Sequence, residues 1–298
     1  MYSYVPGPPR TARGLQWSMV GLVIYLLVLG VQSVLGVILF ESLQTGGGTS
    51  GGLAENLGVF ALGMLASLLA LVALALYLAG FAFQYAGRDE FGPAHARNMR
   101  IALYAMIGAF VTMLTGYVLE VVIMFLGVFS GFDTVGAGGA ANFIAFTSQE
   151  LLVAAISGVV TAAFVAIVLV FSVRNLAKPA QQRVLLVAAG LTVVTAGIAG
   201  LVSLWQVYAA AAAFASGDSG SFSTNSGLSM LLGGVAGLAP WALYVFVYRG
   251  VGERLRKGEL IPSVLPAIFV PRMPAPVVPG TASSSRFLQP PGPQGPTP

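Results

Sequence analysis

The sequence GRDEFGPAHARNMR (residues 87–100) runs directly into IALYAMIGAFVTMLTGYVLEVVIMFLGVF (residues 101–129). The first stretch is polar and holds the only histidine of the chain, His95. The second is apolar apart from one acid, Glu120. As a helix rising ~1.5 Å per residue, an apolar run of this length crosses ~30 Å of hydrocarbon. The polar stretch then reads as a connector at one membrane face, and the fold turns on whether the other apolar runs repeat this plan.

They do. Apolar runs also occupy about residues 15–40, 57–83, 151–173, 184–208 and 228–248. The composition, 57% hydrophobic and 8% charged, excludes an ordinary soluble domain, which carries ~25% charge. The first run exceeds the ~7–15 apolar residues of a secretory signal, so it reads as a retained first span. Backbone groups in hydrocarbon must bond internally, which leaves helices or a closed barrel. None of the runs alternates in polarity as barrel strands do. The expected fold is an all-α membrane protein, six transmembrane helices in a bundle over residues 15–259, multi-pass in the cell membrane.

Charge sets the threading. All 14 Lys and Arg lie in the N-terminal segment 1–14, the connectors 87–100 and 174–183, and the stretch after residue 248. The connectors 41–56, 130–150 and 216–227 carry Glu41, Glu55, Asp133, Glu150 and Asp218 and no basic residue. The two sets alternate, so the positive-inside bias places both termini in the cytoplasm. The basic balance is thus a topology signal and implies no nucleic acid. The acidic connectors are rich in Gly, Ala and Ser and read as flexible loops, including Gly46–Gly48 and Gly136–Gly139. Residues 260–298 form a tail with 11 prolines from Pro262 onward; proline fixes φ and removes a donor, so a disordered cytoplasmic tail is expected, or a polyproline ligand for a protein partner.

Chemistry has few candidates. With no cysteine, disulfides, thiolate metal sites and cysteine nucleophiles are excluded. A phosphate-binding glycine loop, a zinc-binding HExxH and a second membrane acid are all missing, and no cofactor or catalytic constellation is expected. Glu120 is the one ionisable Asp, Glu, Lys, Arg or His inside a span. A carboxyl there is expected to face the bundle or a wet cavity. Gly108, Thr112 and Gly116 precede it at four-residue steps, a small-residue ridge suited to close helix contact, with Tyr117 near the same face. Counting from the middle of each run, Glu120 lies about 7 Å to the outer side of centre. Gln32, Ser33, Ser67, Ser157 and the Gly233–Gly234 pair fall at similar depth. Pro240 breaks the hydrogen-bond ladder of the last span and marks it for kinking or unwinding. One reading is a proton or cation layer with Glu120 as the titrating group; the other is a protonated Glu120 bonded to Gln32 or Ser157 as structural glue.

In the connector, Gly92-Pro93 suits a helix start, with Asp89 and Glu90 beside that helix's positive end. His95 titrates near neutral pH when solvated, and a solvated or hydrogen-bonded loop role competes with a metal or proton-relay role. The pattern formed by Arg88, Glu90, Gly92, His95, Asn98 and Arg100 resembles the loop G-R-x-E-[FY]-G-x-x-H-x-x-N-x-[RK] between the second and third spans of certain uncharacterised archaeal multi-pass membrane proteins. That resemblance implies an archaeal source and no activity. The functional expectation is a non-enzymatic membrane scaffold or complex subunit, partnered by the lipid bilayer and, through the tail, by protein. A secondary transporter or channel-like protein using Glu120 is the alternative, and an intramembrane enzyme comes third. The sequence sets no oligomeric state.

Overall fold

A computed structural model describes the backbone of residues 9–44, 52–131, 137–216 and 219–260. Six helices make up these residues: α1 (Arg10–Gln44), α2 (Gly52–Ala86), α3 (Pro93–Gly131), α4 (Ala137–Val173), α5 (Pro179–Ser216) and α6 (Ser219–Arg256). No strand occurs among the described residues. Five segments are long and apolar enough to cross a membrane: Arg10–Leu35, Ala61–Ala86, Pro93–Gly127, Thr147–Val173 and Pro179–Gln206. In α6 the side chains are described only from Gly237 onward. The chain divides into two units, Met1–Val264 and Leu265–Pro298; the expected proline-rich tail lies outside the described residues.

The helices overrun the apolar segments that predicted them. α3 has 39 residues and α4 has 37, about 55–60 Å of helix against ~30 Å of hydrocarbon. The first two turns of α3 carry Arg97 and Arg100, ahead of the uninterrupted apolar run that opens at Ile101. At the other end, stretches read as flexible loops are helical. Residues 41–44 and 52–56, residues 137–150 and residues 219–227 all continue the helices they adjoin. The physical reason is cooperativity: a long helix is already nucleated, so each added residue gains a hydrogen bond, while glycine loses only ~1 kcal/mol against alanine.

The helices pack in the order α2–α1–α6–α5–α4–α3 among the described residues. Neighbours run antiparallel, as close approaches show: Gly14 beside Gly80, Gly108 beside Phe164, and Gly200 beside Ala155. This gathers the start of α1, the α2–α3 and α4–α5 connectors and the end of α6 at one end of the bundle, together with every Lys and Arg of the described residues. We call it the basic end. α2 and α3 adjoin only there, through Phe81, Tyr85 and Met99.

The α1–α2 contact is set by small residues. Ala66, Ala73 and Gly80 recur every seven residues along α2, Gly87 just past its end keeps the spacing, and all four are buried. Opposite them lie Gly14, Ser18 and Gly21 of α1. A Cβ on Gly14 would come within 2.5 Å of the Gly80 carbonyl, and one on Gly21 within 2.6 Å of the Ala73 carbonyl. Lipid supplies no hydrophobic drive for helix association, so backbones that approach this closely are held by dispersion and interhelical hydrogen bonds. The main core sits toward the basic end, where Leu15, Leu169, Val173, Leu185, Tyr244, Tyr248 and Val251 are essentially inaccessible. Elsewhere large apolar side chains face outward, such as Leu27, Leu71, Phe110 and Leu201, as a lipid-facing surface requires.

Candidate functional site

The polar stretch 87–100 builds the best-defined local geometry. α2 ends at Ala86 and α3 begins at Pro93, with Gly92 at φ 87°, a left-handed conformation glycine adopts without strain. Pro93 takes the first helical position, where its missing N–H removes nothing. Glu90, however, serves a different helix from the expected one. Its carboxylate accepts the backbone N–H of Arg10 at 3.0 Å and of Thr11 at 3.1 Å. These are orphan donors at the start of α1, so Glu90 caps α1 from 80 residues away. Thr11 completes the clasp by donating its hydroxyl to the Gly87 carbonyl at 3.0 Å. A Cβ at Gly87 would lie 2.6 Å from the Thr11 hydroxyl and 2.9 Å from the Glu90 carboxylate, so glycine is what lets the connector close on α1. Sequence reasoning assigned Glu90 to α3 because α3 is adjacent in the chain; α1 wins because its first N–H groups point into the connector.

The rest of the stretch divides into two faces. Arg88 lies over the Tyr85 ring at 4.5 Å and donates to the Tyr85 carbonyl at 3.3 Å. Its Asp89 neighbour is 3.8 Å away. Arg97 and Arg100 are exposed, whereas Asn98 is buried. His95 is not the solvated or hydrogen-bonded loop residue expected from sequence. It is fully buried, edge-on to Phe91 at 5.9 Å, and neither ring nitrogen has a hydrogen-bond partner. The missed signal is spacing: His95, Ala96, Asn98, Met99 and Ala102 follow the period of a helix face, and that face is buried.

The Glu120 layer is dispersed. Gly116 packs on Ser157 so closely that a Cβ would meet the Ser157 hydroxyl at 2.7 Å, and Gly108 packs on Phe164. The ridge thus faces α4, and Glu120 follows it half-buried, one turn on. Tyr117 points outward. The Ser157 hydroxyl donates to its own helix, to the Ala154 carbonyl at 3.1 Å. Gln32 is exposed on α1, a helix that does not pack against α3. Ser67 is exposed on α2 and donates to the Gly63 carbonyl at 3.0 Å; Ser33 likewise turns to Leu29 at 2.8 Å. Gly233 and Gly234 lie in α6 where only the backbone is described. Pro240 is buried inside an α6 that continues unbroken to Arg256, so the expected unwinding is not seen. Trp241 beside it stacks edgewise on Tyr25 at 4.6 Å, which anchors the helix across the lost hydrogen bond.

No family model, curated protein or solved structure matches this chain. The assignment of roles therefore rests on geometry, and the geometry contains a polar group that sequence reasoning missed. Tyr248 of α6 and Ser172 of α4 have hydroxyls 2.6 Å apart, and the Leu169 carbonyl lies 3.1 Å from the tyrosine oxygen. Tyr77 of α2 approaches both without reaching bonding geometry. Thr192 of α5 donates to the Ala188 carbonyl at 2.8 Å and lies 3.4 Å from the Tyr244 hydroxyl. Gln84 of α2 donates to the Ser18 hydroxyl at 2.9 Å. Tyrosines and serines in apolar runs look like ordinary span residues, so nothing local marks them. Their convergence fills the bundle axis near the basic end with side chains from five helices. Among the described residues no group of three or more His, Asp or Glu is placed to hold a metal.

Proposed function

We propose that the chain is a six-span integral membrane protein with both termini in the cytoplasm, acting as a non-enzymatic scaffold or complex subunit. The carrying observation is how the polar side chains are used. Glu90, Thr11, Gln84, Ser172 and Tyr248 each tie one helix to another, so polar chemistry is spent on fixing helix positions. A basic end cross-tied in this way supports a platform. The basic connectors and the proline-rich tail would then be the surfaces a protein partner meets. The seat of Glu120 supports the same reading, because the Gly116–Ser157 contact one turn before it is a tight helix crossing.

Two measurements test this. The chain has no native cysteine, so single cysteines report threading directly. Asp89→Cys should be labelled by a membrane-impermeant maleimide only from the cytoplasmic side, and a cysteine in the 45–51 connector only from outside; the reverse pattern rejects the topology. For the role, the protein in liposomes should give no flux on a pH jump, in wild type or Glu120→Gln. A flux that Glu120→Gln abolishes would establish the transporter alternative.

A further inference from the structure

A cavity of about 190 Å³ opens between the first turns of α1 and the last turns of α6 at the basic end. Its floor is apolar, from Leu15, Met19 and Leu255; its rim carries Arg13, Gln16 and Arg256. Both rim arginines are exposed. The neighbouring cations of α6 are matched: Arg249 with Glu253 at 3.1 Å and Arg254 with Glu259 at 3.2 Å. Arg13 and Arg256 form no salt bridge among the described residues. Two like charges thus share the mouth of one apolar groove, and such a site favours an anion with an apolar extension.

We propose that this groove seats an anionic phospholipid. The two guanidinium groups take the headgroup phosphate, the Gln16 amide donates to a second headgroup oxygen, and one acyl chain lies over Leu15 and Met19. Charge argues against the chain's own tail as the occupant, because its only charged side chains after Glu259 are Arg272 and Arg286. Free phosphate would use the rim and leave the apolar floor wet. The site needs only the membrane setting and stands whichever side of the bilayer the basic end faces. Gly252 offers an independent handle. A Cβ there would sit in ordinary contact with Leu15 at 3.7 Å, so a leucine would fill the groove without altering charge.

The test is native mass spectrometry of the full chain, delipidated in detergent and titrated with phosphatidylglycerol or with phosphatidylcholine of the same acyl chains. Phosphatidylglycerol should bind in preference. The double variant Arg13→Gln/Arg256→Gln should weaken it by about twenty-five-fold, at roughly five-fold per cation, with phosphatidylcholine unchanged. Gly252→Leu should weaken phosphatidylglycerol at unchanged charge, and Arg183→Gln, an exposed arginine on α5, should not. If the arginine pair fails to fold, Gly252→Leu decides alone. Equal binding of the two lipids, or full phosphatidylglycerol binding by Gly252→Leu, overturns the site. Displacement of the lipid by millimolar glycerol phosphate overturns the lipid and leaves a site for soluble phosphate.

Discussion

Glu90 shows how much one side chain can do at a helix start. Its carboxylate satisfies two N–H groups of α1 and lies against the positive end of that helix. Glu90→Ala should destabilise the protein by about 1–2 kcal/mol, read as a lower melting temperature in detergent. Glu90→Gln should lose less, since an amide oxygen still accepts. His95 makes a prediction that rests on burial alone. The ring is fully buried and neither nitrogen is bonded, so desolvating it costs stability that an apolar side chain would not. His95→Leu should be neutral or stabilising by about 1 kcal/mol, read as melting temperature in detergent. A clear loss of stability would mean that the ring nitrogens are hydrated.

At the level of elements, the α1–α2 hairpin depends on backbone contact. Gly14→Leu and Gly80→Leu force a side chain into space already held by the partner backbone, and each should lower stability by about 3 kcal/mol or more. Gly190→Ala is the control. Nothing lies within 4 Å of its added Cβ, so the change should be neutral or stabilising by up to ~1 kcal/mol through helix propensity. The heptad of small residues at 66, 73, 80 and 87 stands in the sequence but was not read from it. It is less conspicuous than the ridge before Glu120 because half of it is alanine, common in any apolar run. Helix lengths were less legible, because glycine and serine signal loops only when no long helix is at hand to extend.

Across the whole molecule, the buried hydroxyls of Ser172 and Tyr248 join α4 to α6, with Tyr77 of α2 beside them. Tyr248→Phe removes the partner of Ser172 and should lose about 1 kcal/mol. Tyr77→Phe deletes a buried hydroxyl that bonds to nothing, and should be neutral or stabilising by ~1 kcal/mol. Opposite signs for two buried tyrosines, measured by thermal unfolding, would establish that the axis is bonded through Tyr248 and merely filled by Tyr77. A shared sign would point to a water bridging Tyr77 to the pair.

The sequence by itself determined that the chain is helical, that its apolar segments suit a bilayer, and where all its basic residues fall. These are properties of each segment taken alone, because transfer into hydrocarbon depends on the composition and length of that segment. Only the tertiary structure decided that Glu90 caps α1, that His95 is buried, that Gln32 and Glu120 lie on helices that do not pack together, and that Arg13 and Arg256 share a groove. Each of these joins residues distant in the chain or turns one face of a helix inward. Such choices follow from which helices can approach most closely, and no single segment carries that information.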